Sequence, residues 1–232
     1  MKNISHLKLY NIKEAEIVIT RYDEDLQWTE NFAHLCTVYN KGPTLLKDSG
    51  FAKVIEVPNY GINEEVLLRH IIENYDNLAT MTFFCQGKIL DRPDQPLYPI
   101  LYYLENPKST DIRGFFYKSY DIPTWKYSGR ASDASCLALE GRTLAQFRTD
   151  IIGIPYKRWG ELWAAGDWLS VGSALIRSKP REYYIWIYNQ CRLDRGIIVE
   201  EVSFLERSFH SIFTRPLDPE FQNTKGFTHS IN

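Results

Sequence analysis

The sequence predicts a single α/β domain with a mostly parallel, Rossmann-like central sheet flanked by helices, and three observations predict it. Four short runs rich in β-branched and apolar residues recur in the N-terminal part of the chain. Each run ends abruptly in a polar cluster, and a helical apolar period separates the third run from the fourth. With 232 residues, 44% hydrophobic and 14% aromatic, the chain has material for one sizeable core, whereas two domains would each be small.

The first run, Glu16-Ile17-Val18-Ile19-Thr20, stops at Arg21-Tyr22-Asp23-Glu24-Asp25. The second, His34 to Tyr39, ends at Asn40-Lys41-Gly42, and the third, Ala52 to Val57, ends at Pro58-Asn59-Tyr60-Gly61. Asn63 suits the cap of a helix from Glu64 to about Tyr75, with Leu67, Ile71 and Tyr75 on one face and acids at its start. The fourth run, Met81 to Cys85, ends at Gln86-Gly87. From Lys88 to about Arg142, prolines and the small polar stretch Ser128 to Asp133 predict a loop-rich region that serves in part as a lid, around 126–135. A tryptophan-rich segment from Trp159 to Trp168 precedes a short strand, Leu169 to Val171. Ser178-Lys179-Pro180 then opens a helix packed through Tyr183, Tyr184, Ile187, Tyr188 and Cys191. A last helix is expected over about 199–213, and residues 221–232 are expected to fray.

Composition narrows the function classes. The 27 Lys and Arg against 29 Asp and Glu leave a formal charge of -2, with no basic excess to neutralise a phosphate backbone, so nucleic acid is not an expected partner. No run approaches the roughly 18 apolar residues of a membrane span, and no signal-peptide pattern opens the sequence, so a cytoplasmic protein without a membrane span is expected. Cys36, Cys85, Cys136 and Cys191 are widely spaced without a CxxC pair, which reads as reduced thiols rather than a disulfide or zinc framework.

In open sheets of parallel strands, ligands bind outside the strands' carboxyl ends, where loops and helix N-termini converge. Arg21, Asp23, Glu24, Asp25, Lys41, Asn59, Gly61, Asn63 and Gln86 gather at that edge. Any one of them alone reads as a solvated loop start; their recurrence at four tips suits a ligand with phosphate and hydroxyl groups.

Taken together, Ile17 to Trp28, Tyr39-Asn40-Lys41-Gly42, Pro58-Asn59-Tyr60-Gly61, His70 to Leu78 and Phe83 to Gly87 resemble a glycosyltransferase-like family of unknown function. Gly166 to Val171, Ile176 to Pro180 and Glu201 to Phe213 are similar to the closing motifs of the same family, while 96–155 carries little of the likeness. The resemblance implies a GT-A-type fold across 1–232. It implies a nucleotide-sugar donor in the half spanning about 1–95 and a glycan or other hydroxyl-bearing acceptor in the half spanning about 96–220. By this likeness Arg21, Asp25, Lys41, Asn59, Gly61 and Gln86 take donor-side roles, with Tyr22 and Asn63 beside them.

Well-studied GT-A enzymes usually end the fourth strand in an acidic DxD pair that holds a divalent metal, where this chain reads Phe84-Cys85-Gln86-Gly87. Two possibilities stand: Asp91 and Asp94 fold back as ligands of Mn or Mg, or the leaving diphosphate is stabilised without a metal by Arg21, Lys41 or Arg130, or by helix N-terminal amides. Asp167 is the first candidate for the base that takes the acceptor's proton, and Glu201 and Glu206 follow, although Glu206 beside Arg207 also reads as a structural ion pair. Trp163 and Trp168 are the candidate platforms for an acceptor sugar. Two other readings remain open: a non-catalytic nucleotide- or sugar-binding module, and a metal-dependent hydrolase or nucleotidyltransferase built on Asp23, Glu24 and Asp25. His34, His70 and His210 fit core or surface positions better than a site.

Overall fold

The computed structural model describes residues 10–43, 50–89, 104, 106–119, 136–137, 143–155, 161–191 and 198–227. The four apolar runs form strands β1 (Ala15–Arg21), β2 (Cys36–Asn40), β3 (Lys53–Glu56) and β4 (Met81–Gln86). With β5 (Ile112–Ser119) and a long strand Glu161–Gly172 they make a six-stranded sheet. A short strand β6 (Cys136–Leu137) precedes that long strand, which is therefore β7, and β6 pairs in parallel with β8 (Ile198–Val199). The sheet order is β3-β2-β1-β4-β7-β5. The first four strands run parallel, and β7 lies antiparallel to both of its neighbours, β4 and β5. The mostly parallel α/β sheet expected from the sequence is present, with an antiparallel strand inside it.

Strand alternation feeds two cores, because successive side chains point to opposite faces. Val18, Tyr39, Phe84, Leu169 and Val171 face one side, under the helices. Ile17, Ile19, Val38, Phe83, Cys85 and Trp168 face the other, with Leu26, Phe32 and Leu104. Each fully buried Leu, Ile or Phe contributes about 1.5–3 kcal/mol relative to exposure, so this two-sided burial explains why β1 is uniformly apolar from Ile17 to Ile19.

The helix α1 (Ile62–Asn74) carries the chain from β3 at the sheet's edge to β4 on the far side of β1. Strand order therefore reverses between β1 and β4, which is where parallel α/β sheets open a crevice. Next along the chain are α2 (Leu144–Phe147), capped by Thr143 and Gln146 in a reciprocal capping box, and α3 (Ser173–Ile176). Behind them come α4 (Arg181–Cys191), α5 (Glu200–Glu206), α6 (Phe209–Thr214) and α7 (Pro219–Lys225).

Several elements depart from the sequence reading. β5 lies inside the region expected to be loop: the apolar run Phe115-Phe116-Tyr117 makes strand despite the prolines on either side. From Glu161 on, the tryptophan-rich segment is part of β7, which is twelve residues long rather than the three of Leu169 to Val171. The last helix is two, parted at Arg207 and Ser208. Residues 221–225, expected to fray, belong to α7, whose Asp218 cap accepts from the backbone N–H of Glu220 (2.9 Å) and Phe221 (3.2 Å). Phe221 and Phe227 then pack edge-on against Trp186, which anchors that end. Cys36, Cys85 and Cys191 are buried free thiols. Among the described residues no helix is long and apolar enough to cross a membrane.

Candidate functional site

At the carboxyl ends of β1, β2 and β4 lies a cleft of about 300 Å³. The end of β1 contributes Thr20, Arg21, Tyr22 and Glu24; Lys41 follows β2; Asn59, Ile62 and Asn63 come from the approach to α1; Gln86 is the tip of β4. Two glycines let these loops crowd together. A Cβ on Gly42 would collide with the backbone carbonyl of Tyr22, and one on Gly87 would come within 2.9 Å of the Glu24 Cβ. Gly87 also accepts from the Trp28 indole N–H at 3.0 Å and donates to the Thr20 carbonyl at 2.8 Å, tying the β4 tip to the β1 tip.

Arg21 is 9% exposed and organises the rim. Its Nε donates to the Glu24 carbonyl (3.0 Å), and its Nη1 donates to the Asn40 Oδ1 (2.7 Å) and to the carbonyls of Pro43 (2.8 Å) and Tyr22 (3.1 Å). These acceptors are all neutral, and no carboxylate stands within ion-pair distance of Arg21 among the described residues. Asn40, which the sequence reading did not single out, is the hub: its amide also donates to Gly42, to Pro43 and to the Glu56 carboxylate at 2.8 Å. A buried amide ending a strand is the signal that would have pointed to it.

Lys41 lines the cleft but its charge is committed. Its Nζ pairs with Glu65 Oε2 at 3.1 Å and donates to the carbonyls of Ile62 (2.7 Å) and Tyr60. Burial pulls this ammonium below the usual lysine value, against the attraction of Glu65. Glu65 is shared with Arg69 Nε at 2.6 Å and with the Tyr188 hydroxyl at 2.8 Å. Lys41 thereby clamps a strained turn: Gly61 has φ 54° and Ile62 φ 46°, a left-handed conformation that costs a β-branched residue about 1–3 kcal/mol. Gly61, not Asn63, is the N-cap of α1. Asn63 falls inside the first turn, which leaves its side chain to the cleft.

The remaining expected site residues lie as follows. Tyr22, 50% exposed, and Asn59 line the cleft together with Arg21, Lys41, Asn63 and Gln86. Asp25 does not line it; its carboxylate accepts the Gln27 N–H at 2.9 Å and shapes the turn after β1. Thr20 and Ile62 are lining residues that sequence reading passed over, one as the last residue of an apolar run and one as an ordinary helix start. Trp168, expected to present its ring to an acceptor, is instead 2% exposed and packs with the core behind the sheet. Glu201 is 1% exposed and away from the cleft. Glu206 is paired with Arg207 at 3.0 Å, as the structural alternative had it.

Trp163 and Asp167 are placed by their backbones in β7. β7 pairs with β4 from Gly172 opposite Met81 to Leu169 opposite Phe84, so Asp167 lies two residues beyond the last paired position, in the direction of the β4 tip. On its other side, β5 spends the one residue Phe115 between Gly114, paired with Leu169, and Phe116, paired with Ala164, where β7 spends residues 165–168. Gly166 and Asp167 thus sit in a bulge at the sheet edge that carries the cleft. Asp91, Asp94, Arg130 and the expected lid at 126–135 lie outside the described residues. Among the described residues no three His, Cys, Asp or Glu side chains converge as metal ligands, and Glu24 supplies the carboxylate of the cleft lining.

His70, left out of the site on sequence, is buried between Glu16 (Nε2 to Oε2, 3.3 Å) and the Tyr39 hydroxyl (3.2 Å from Nδ1). Thr37 donates to Glu16 Oε1 at 2.6 Å. Burial works to raise the Glu16 carboxyl, but His70 and Thr37 outweigh it and hold the group below the ordinary carboxylate value.

Compared with known proteins, the chain matches no protein-family model, no curated protein and no solved structure.

Proposed function

We propose that this protein is a glycosyltransferase that binds a nucleotide sugar in the cleft between the tips of β1 and β4 and moves the sugar to a hydroxyl of a glycan or other acceptor. The observation that carries the proposal is Arg21, a buried guanidinium bonded only to neutral acceptors among the described residues, at the strand-order reversal where such sheets bind ligands. A diphosphate is the complementary charge, and exposed Tyr22 offers its ring to a base or sugar at the same mouth.

The backbone position of Asp167 supports a catalytic role for it. In an inverting transfer, its carboxylate would take the proton of the acceptor hydroxyl while that oxygen bonds to the sugar carbon and the bond to the diphosphate breaks. The leaving diphosphate would be stabilised from the Arg21 side. A divalent Mn or Mg ion remains part of this reading only through Asp91, Asp94 or Glu24. A second reading, a non-catalytic nucleotide- or sugar-binding module, is favoured by Gln86 at the tip of β4, since a carboxamide is a poorer hard-cation ligand than a carboxylate.

Thermal melting against UDP-, GDP- and dTDP-sugars, with and without Mn²⁺, tests the donor, because a ligand of the folded state raises the melting temperature by linkage. A rise with at least one nucleotide sugar is expected, and none with any would end the transferase reading. With that donor, Asp167→Asn should retain the thermal shift and lose turnover; binding without turnover in the native protein would select the module instead.

A further inference from the structure

We propose that the α1 end of the cleft is a phosphate subsite, in which the backbone N–H groups of Ile62 and Asn63, the Asn63 side-chain amide and the Nη2 of Arg21 receive the oxygens of a phosphoryl group. The subsite uses the cleft of the donor reading and deepens it, yet it has its own measurement.

α1 spans thirteen residues from Ile62, so its first N–H groups carry the positive end of a full helix dipole. The first turn closes with Glu65 N–H on the Gly61 carbonyl at 3.1 Å, while the N–H groups of Ile62 and Asn63 have no acceptor among the described residues. Left-handed Ile62 followed by helical Asn63 turns neighbouring N–H groups into one concavity, the geometry in which backbone holds anions. The first-turn carboxylate of Glu65 does not cancel this field, since Lys41 and Arg69 already neutralise it. Glu64, the other first-turn acid, is buried away from the lining.

Asn63 gives the independent sign of a ligand. It is 9% exposed and lines the cleft, and its amide, without a hydrogen-bond partner among the described residues, opens on the cleft rather than on the protein interior. Arg21 adds a charge across the same space: its Nε and Nη1 are occupied by rim carbonyls and Asn40, which leaves Nη2 for the ligand. Two backbone donors, an amide and a guanidinium edge outnumber the lining's carboxylate, Glu24, which already accepts the Tyr22 N–H at 2.6 Å, and they suit a tetrahedral oxyanion better than an uncharged hydroxyl.

The full chain, labelled with ¹⁵N-isoleucine and with the Ile62 signal assigned through Ile62→Val, provides the test by titration with inorganic pyrophosphate, UDP and uridine. Pyrophosphate and UDP are expected to move the Ile62 amide signal saturably, uridine is not, and Asn63→Ala should weaken both phosphate ligands about tenfold without changing the melting temperature. An Ile62 signal unmoved by pyrophosphate at millimolar concentration, moved equally by uridine, or titrating identically in Asn63→Ala would overturn the subsite. The two proposals part cleanly. A nucleotide sugar that raises the melting temperature without moving Ile62 leaves the donor reading and removes the subsite, whereas pyrophosphate moving Ile62 while no nucleotide sugar binds does the reverse.

Discussion

Two polar regions of this molecule meet at the start of α1 and are built in opposite ways. Beneath α1, Glu65 is shared by Lys41, Arg69 and Tyr188, and Glu16 is shared by Thr37 and His70. At the cleft, Thr20 and Asn63 are 8% and 9% exposed, and with Gln86 they present side chains that have no partner among the described residues. The partnered groups of the first region stabilise the fold, whereas the cleft side chains open on the cleft and hold binding capacity that folding does not use. The contrast is sharpest at α1's start, where Lys41 is spent on fixing the strained turn and Asn63, beside it, is left over.

That comparison can be broken by substitution. The largest effect is expected at Glu65: Glu65→Ala leaves the buried Lys41 without its carboxylate, while Arg69 keeps Glu73 at 3.2 Å, and should destabilise by roughly 3–5 kcal/mol, measured by urea unfolding, with a loss of ligand binding because the Ile62 turn loosens. A cost below about 1 kcal/mol would mean the Lys41 pair does not hold the turn. Gly42→Ala comes next, since its Cβ must displace the Tyr22 backbone; about 2 kcal/mol is expected, against a smaller cost for Gly87→Ala, which meets the Glu24 side chain.

Glu16 gives the pH arm of the comparison. Its carboxyl is held below the ordinary value, so it stabilises the fold above the unfolded glutamate value of about 4.3, and that contribution is lost as pH falls through the lowered folded value. Glu16→Gln should therefore be less stable than the native protein at neutral pH, with the gap closing below about pH 4. A gap that stays constant with pH would show that the carboxylate is not favoured by His70 and Thr37. The smallest stability effects belong to the cleft: Asn63→Ala and Gln86→Ala should stay within about 0.5 kcal/mol.

Much of this contrast was legible in the sequence, and the part that was not has identifiable causes. Apolar runs ending at Arg21, Lys41, Asn59 and Gln86 marked the edge correctly, because a parallel strand buried on both faces leaves a continuous apolar signature and an abrupt polar end. Whether a polar tip was spent or left over was invisible, since that depends on partners distant in sequence: Lys41 finds Glu65 on α1, and Arg21 finds Asn40 on the neighbouring strand. Asn63 read as a cap because amides favour that position, but Gly61 reaches the left-handed conformation more cheaply. β5 was hidden by flanking prolines, and Trp168 by the habit of reading an aromatic beside Asp167 as a platform, where strand alternation turns its ring into the core.

The most direct measurement is calorimetric titration of the nucleotide sugar that gives the largest thermal shift, into the native protein and into Asn63→Ala/Gln86→Ala. The account expects saturable binding to the native protein, and affinity lower by about tenfold or more in the double variant, whose melting temperature stays unchanged. Equal affinity in the two proteins would contradict it, because the unpartnered side chains of the cleft would then have no ligand to meet.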